Sequence, residues 1–543
     1  MINISRLKAM RLNSASERSM LYWLALIAII GFGSWLRLHG LDAVSLTQDE
    51  TSMLQFTFGL LERGYPVSMR GDSENLMATY ELVPYFIAAS VKLFGWSEWA
   101  VRLPAASFSI ATLILVAATG RWWFGRTTSL WAALLYAISP WALYWSQNCF
   151  YPAQLQFFAL LSVILVHYIL STDRPRAASY WLTALCLGLT YFSWEGIGLM
   201  FVVLGIMAIA LRWRRWNFLL STHAWAALGT LGLLVVLQLV RRAVLREPYL
   251  VLGSSRADIS SPQLAMKRLT YDPLYYFETV FLSEQMLILT CFFFLGIWFL
   301  RKDWNLRFVY MYVVLMVVVY SELLAVQTIR YIYAVLPFFL LAVAAASTQI
   351  FTWTFRQAQP AAPVMARALG YSIAILMLGM QAATLSHQAL NLSELNPRYQ
   401  TQGRRELGED VARVDFRAAM MELKRRYRAG DVVIVRAPFP LYTYTGIKGD
   451  FALQQTTRSV VFYEPGLERS RYMDKYVGNP LLRSLTELKD LLYKHDRVWL
   501  VAAPFGPLRN LMGDDTYEFV SRNMALEYEG QSVRLYLWNN PNG

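Results

Sequence analysis

Long apolar runs alternate with short polar stretches from Met20 to about position 387, and beyond it the pattern changes. Runs at roughly 20–38, 103–122, 129–146, 154–171, 179–194, 196–211, 217–240, 283–300, 307–325, 331–353 and 367–387 are near the length that crosses a bilayer as a helix. Eleven transmembrane helices are therefore expected. A further apolar stretch, Tyr80 to Phe94, is about 15 residues long and is interrupted by Glu81, Pro84 and Lys92. That is short of the ~20 residues a crossing needs, so it reads as an interfacial helix lying in the headgroup layer.

Counting that helix as a span would invert every later loop, so the charges decide. Arg6, Lys8, Arg11 and Arg18 precede the first run and put the N-terminus in the cytoplasm. With eleven spans the arginine-bearing loops also fall inside, among them Arg121 and Arg126, Arg174 and Arg176, Arg212, Arg214 and Arg215, and Arg356 and Arg367. The outer loop at 146–153 has no charge. The first run is long and has no small-residue cleavage site, so it is expected to be a retained span. The C-terminus is then outside. Asp49, Glu50, Glu81, Arg102, Glu195, Glu322 and Arg330 gather near the outer face, and ionisable groups at one membrane level imply a cavity there.

From residue 391 the pattern is that of a soluble domain. Glu409 to Arg428 reads as a basic amphipathic helix and Val432 to Val435 as a buried strand. Leu482 to Lys494 and Val498 to Val501 repeat the order, and strands near Ala525–Tyr528 and Val533–Trp538 close it. This alternation predicts a small extracytoplasmic α/β domain over 391–543 after a membrane domain over 1–390, with the first outer loop at 40–102. Gly446, Gly449, Gly466 and Gly478 lack the spacing of a phosphate-binding loop. The segment from Arg241 to Leu282 is outer, and its aromatic second part suits a surface helix.

Composition agrees with a membrane protein, at 56% hydrophobic and 16% charged. The net charge of +13 points to topology and not to nucleic acid. Residues 388–543 carry 22 basic and 19 acidic side chains, so most of the excess lies in the membrane half. Cys149, Cys186 and Cys291 form no disulfide framework, and the five histidines have no ligand spacing.

The chemistry centres on Asp49 and Glu50, just beyond the first span. An acidic pair there is either a solvated turn or a catalytic group. A carboxylate partly desolvated at the bilayer edge suits a general base. Sugar transfer from a phosphate-linked donor needs such a base and a cation for the departing phosphate. Arg330, beside Tyr331, starts a span at the outer face, where it is either a phosphate ligand or an interfacial anchor. Lys92 is an alternative ligand, and Arg256, Lys267 and Arg268 are weaker ones. Arg102 suits a structural post paired with an acidic neighbour. Glu195, between two spans and followed by Gly196, either binds sugar hydroxyls or is salt-bridged, and Glu322 has the same two readings. Tyr80 and Glu81 open the interfacial helix, where either residue can face the sugar.

With these residues in view, the chain resembles the GT-C superfamily of polyprenyl-phosphate-sugar-dependent glycosyltransferases. The similar branch is that of the protein O-mannosyltransferases and the lipid A aminoarabinose transferase. The matching features are Asp49-Glu50, GWSEWAVRLPA at 95–105, GRWWFGR at 120–126 before a span ending Ser139-Pro140, and IRYIYAVLP at 329–337. The resemblance implies interfacial helices in the first outer loop, a donor presented from the outer leaflet, and inversion at the sugar carbon. It implies that Asp49 is the base or the carboxylate that orients the acceptor, and that Arg330 contacts the donor phosphate. Two departures stand out. The family's His-Pro-Pro or Lys-Pro-Pro stretch is replaced by Thr79-Tyr80-Glu81-Leu82-Val83-Pro84. Asn148-Cys149-Phe150-Tyr151-Pro152 also lacks the acidic residue often present in the second outer loop. A divalent cation would then have Asp49, Glu50 and Glu195 as its hard ligands.

The expected function is transfer of a monosaccharide from a polyprenyl-phosphate-linked donor to a lipid, glycan or protein acceptor, in a multi-pass protein of the bacterial plasma membrane. The alternatives are a transporter or lipid flippase, and a non-catalytic relative that binds a partner. No internal repeat favours the transporter.

Overall fold

Among the described residues, seven helices in the computed structural model are long and apolar enough to cross a membrane: Ser19–Leu38, Glu98–Phe124, Pro152–Ser171, Glu195–Arg212, Thr222–Arg241, Trp304–Leu323 and Ile329–Trp353. The residues described are 4–70, 73–77, 79–212, 216–246, 250–252, 273–283, 286–324, 327–358, 368, 372, 379, 415–436, 438–453, 461–463, 477–502, 513–530 and 533–540. The seven correspond to seven of the eleven expected runs. The run at 129–146 is instead two helices, Arg126–Ala137 and Pro140–Ser146, and that at 179–194 is a 17-residue helix, Ala177–Ser193. The run at 283–300 becomes Leu287–Gly296 followed by a 3-10 segment, Ile297–Lys302. The run at 367–387 lies outside the described residues, as do Arg214, Arg215, Arg256, Lys267 and Arg268.

The chain divides into two compact units. One holds residues 1–39, 103–232 and 272–391, and the other 40–102, 233–271 and 392–543. In the first, the break at Ser139-Pro140 is explained by hydrogen bonding. Proline has no N–H to offer the carbonyl four residues back, which is that of Tyr136. Arg37 supplies the missing donor. Its Nη2 donates to Tyr136 O at 3.0 Å and its Nη1 to Ala137 O at 3.0 Å and Gly33 O at 2.9 Å, while Nε donates to Ser109 Oγ at 2.8 Å. The guanidinium also lies over the Tyr136 ring, 5.1 Å from its centroid. A fully buried cation thus sits at the carbonyl end of a broken helix, where the backbone dipole favours it.

The second unit begins with the Gln48–Arg63 helix, started by a capping box between Thr47 and Glu50 and ended by Gly64 in the left-handed region. A hairpin follows, Val67–Arg70 paired antiparallel with Ser73–Leu76. Gly59 lets it pack on the helix, since a Cβ there would meet Val67 O at 1.9 Å. The expected interfacial helix is Val83–Phe94, with Pro84 in its first turn.

Beyond position 415 lies a four-stranded sheet. Val432–Val435 runs parallel to Arg497–Ala502, which pairs antiparallel with Val533–Asn539, itself antiparallel to Ala525–Gly530. Alternate residues fill two cores. Val432, Ile434, Val498 and Leu500 pack on Leu488 and Leu492, while Val433, Val435, Trp499 and Val501 pack on Phe416, Met420 and Leu423. Burial of both faces explains why Val432–Val435 is an unbroken apolar run. The expected helix from Glu409 is described from its cap at Asp415 and spans Phe416–Arg426.

Candidate functional site

Asp49 lies in the first turn of the Gln48–Arg63 helix, and the segment leading to it is held from two sides. Arg102, one turn into the Glu98–Phe124 helix, donates from Nη1 to Leu41 O and Val44 O, both at 2.7 Å, and from Nη2 to Ser45 O at 3.2 Å. Its Nε and Nη2 also fork onto the Glu50 carboxylate at 2.7 and 2.9 Å. Glu50 Oε2 in turn accepts from Thr47 N at 2.8 Å.

From the other side, Arg417 Nη2 donates to Asp42 O at 2.7 Å, and the Tyr444 hydroxyl accepts from Leu46 N at 2.7 Å. Both residues also hold Glu98: Arg417 Nε at 2.9 Å and the Tyr444 hydroxyl at 2.6 Å, each donating to Oε1, with Arg417 Nη2 on Oε2. Asp49 itself is exposed.

Two expectations change here, those for Glu50 and Asp49. Glu50 was paired with Asp49 as a catalytic group, but its side chain is fully buried between Arg102 and the helix cap and fastens the segment instead. Arg102, expected as a structural post paired with an acidic neighbour, has a side chain 2% exposed and holds Glu50 and three carbonyls. Asp49 was expected to be partly desolvated, yet the protein leaves it exposed.

Glu81 accepts from Arg241 and Gln238, and Arg241 Nη2 reaches Met77 O at 3.0 Å, so this carboxylate is engaged in holding the loop. Tyr80 beside it is half-buried with φ 59, a left-handed conformation unusual for an aromatic residue. Lys92 is exposed in the last turn of its helix, where a cation is favourable.

Arg330 lies in a 3-10 turn, Ile329–Val335, leading into the Leu336–Ala358 helix. Its guanidinium is over the rings of Phe150 and Tyr331, 5.4 and 5.7 Å from their centroids. Tyr331 stacks on Trp194 at 4.4 Å, and Trp194 on Tyr151 at 5.5 Å. The backbone after Trp194 folds so tightly that a Cβ on Gly196 would meet the indole at 2.1 Å. Phe150 and Tyr151 belong to the uncharged loop at 146–153, which brings the Phe150 ring to Arg330 and the Tyr151 ring to Trp194. Glu195 follows Trp194 and is half-buried, and Glu322 is exposed near the end of the Trp304–Leu323 helix.

The sequence reading passed over Arg417, Tyr444, Arg241 and Glu98. Only Glu98 left a local signal, four residues before Arg102 on one helix face. Among the described residues no three His, Cys, Asp or Glu side chains gather as metal ligands.

Residues 81–240 match the family described as dolichyl-phosphate-mannose-protein mannosyltransferase. No curated protein matches the sequence at a significant level. Among solved structures, the chain is similar to ArnT from Cupriavidus metallidurans bound to undecaprenyl phosphate, at 14% identity and TM-score 0.59, over 96% of this chain and 98% of that one. It is also similar to the oligosaccharyltransferase AglB from Archaeoglobus fulgidus in complex with an inhibitory peptide and a dolichol-phosphate. That match has 9% identity and TM-score 0.50, over 79% of this chain and 64% of that one. An Archaeoglobus fulgidus oligosaccharyltransferase tethered to an acceptor peptide matches at 10% identity and TM-score 0.53, over 78% and 63%. The chain is thus a polytopic helical membrane protein that shares its fold with ArnT and with the Archaeoglobus fulgidus oligosaccharyltransferases.

Proposed function

We propose that the chain is a membrane glycosyltransferase that moves a monosaccharide from a polyprenyl-phosphate donor to a lipid, glycan or protein acceptor on the outer face of the membrane. The observation that carries this reading is the contrast within the acidic pair. Glu50 is consumed in holding the segment, and Asp49 is left exposed on a backbone fastened by Arg102, Arg417 and Tyr444. A reacting group on a fixed backbone needs little reorganisation, which is the main advantage of a preorganised site.

In the reaction, Asp49 takes the proton of the acceptor hydroxyl. The oxygen attacks the anomeric carbon, and the bond to the donor phosphate breaks with its electron pair leaving on the phosphate, so the configuration inverts. Arg330 is assigned to the departing phosphate, which a guanidinium fork can take bidentately. The similarity to a chain crystallised with undecaprenyl phosphate supports the class of carrier. The positive charge of the first residues supports an inner N-terminus, and Asp49, one crossing later, is accordingly assigned to the outer side.

Purified protein in nanodiscs, given undecaprenyl-phosphate-linked hexoses, pentoses and aminopentoses, tests the proposal through release of undecaprenyl phosphate. Asp49→Asn is expected to abolish release while leaving the protein folded. Unchanged turnover in that variant removes Asp49 from the mechanism.

A further inference from the structure

Tyr444 and Arg417 have no part in the chemistry just described, yet each joins the Asp49 segment to the elements beyond position 415. The Tyr444 hydroxyl is used twice: it donates to Glu98 Oε1 at 2.6 Å and accepts from Leu46 N at 2.7 Å, three residues before Asp49. Burial, and with it the Glu98 carboxylate, raises this phenol well above its ordinary value, so it stays a protonated donor. Arg417 grips the same carboxylate and the Asp42 carbonyl. Partial burial opposes its charge, but hydrogen bonding to Glu98 outweighs that and raises the guanidinium above its usual range. Leu46 is fully buried. Its amide therefore has to be paired inside the protein, because an orphaned buried N–H is costly.

We propose that Tyr444 is a positioning residue for the transfer reaction, setting the Leu46–Gln48 backbone and hence the place of Asp49, with Arg417 as its companion at Asp42. The inference rests on the proposed role of Asp49. It gives the region beyond position 415 a share in catalysis that does not depend on its touching the acceptor. Through the Pro438–Thr445 helix, whatever moves that region shifts the base.

The test uses the full chain in nanodiscs and two readouts. Hydrogen exchange on ligand-free protein is expected to show the 41–50 segment exchanging roughly five- to ten-fold faster in Tyr444→Phe, the effect of losing one hydrogen bond, with the Val432–Val435 strand unchanged. Turnover of undecaprenyl-phosphate monosaccharides is expected to fall about ten- to a hundred-fold in kcat, with the donor KM within about two-fold, as for a misplaced catalytic group. Thr443→Val is the control. Thr443 accepts from Gln55 Nε2 at 3.2 Å on the same helix, and its loss is expected to leave kcat unchanged.

Arg417→Ala provides a second variant, expected to lower kcat in the same way and less than additively with Tyr444→Phe. Unchanged exchange over 41–50, unchanged kcat in Tyr444→Phe, or an equal loss in Thr443→Val overturns the proposal. Asp49→Asn in the same assay keeps the two readings apart: if it is inactive while Tyr444→Phe is normal, only the positioning role fails. If Asp49→Asn is fully active, the role of Asp49 fails first.

Discussion

Replacing Arg102 by Met is expected to release the Leu41–Glu50 segment, and the size of the effect follows from what the guanidinium holds. It makes two bonds to a buried carboxylate and three to the carbonyls of Leu41, Val44 and Ser45. Breaking a buried ion pair by removing one partner costs about 3–5 kcal/mol, largely because the other charge stays buried. Each orphaned carbonyl adds about 1 kcal/mol. Glu50→Gln in the same background removes the stranded charge but keeps a side chain able to accept from Thr47 N. The double variant should therefore recover about 1–3 kcal/mol while the carbonyl losses remain. Hydrogen exchange of the 41–50 peptides, converted to opening free energies, measures both quantities. If Arg102→Met loses less than about 1 kcal/mol, or if adding Glu50→Gln gives no recovery, the buried pair does not hold the segment and the reasoning fails.

Two other predictions concern places away from Asp49. Burial pushes the Asp431 carboxyl up, but the Arg497 guanidinium, the Arg428 amide and the Trp499 indole together hold it below its ordinary value of 3.8. A depressed carboxyl contributes stability that is present above the unfolded value and lost as the pH falls through the folded one. The sheet should accordingly weaken below about pH 4, and Asp431→Asn should be less stable at pH 7 with a shallower acid loss; equal acid dependence in exchange of strands 432–435 and 497–502 counts against this. Arg37→Met should destabilise the first unit by about 2–4 kcal/mol through the loss of its four buried hydrogen bonds, and Pro140→Ala should offset part of that by restoring an N–H to Tyr136 O. Thermal unfolding of the four-member cycle decides it, and strict additivity would refute the coupling.

The features legible in the sequence are those a periodic pattern can carry. Val432–Val435 and Arg497–Ala502 were read within a residue or two because a strand buried on both faces needs an unbroken apolar run. The helix ending at Lys494 was legible from its leucines on one face, but it starts at Leu485 after a Ser484 cap, and Leu482 belongs to a short strand instead. Span length was legible where one helix runs without a break. It failed at 129–146, where the apolar run continues through Ser139-Pro140 while the helix does not, since hydropathy records the solvent a residue prefers and not where its N–H goes.

The same blindness accounts for the functional residues. Asp49 and Glu50 are identical in charge and adjacent in the chain, and spacing gives them one role. Their roles diverge only because successive residues on a helix point about 100° apart, which turns Glu50 inward to Arg102 and leaves Asp49 exposed. Arg37 makes the point from the other direction: an arginine at the end of a first span looks like an interfacial anchor. Its use is set by a proline more than a hundred residues later, whose missing N–H leaves Tyr136 O with only a 3.4 Å bond from Ser139 N until the guanidinium joins it at 3.0 Å. Tyr444 is harder still, because nothing local distinguishes it from Tyr442. What separates them is a partner, Leu46 N, almost four hundred residues earlier. Pairings of that range lie in tertiary structure alone, and no local pattern of residues records them.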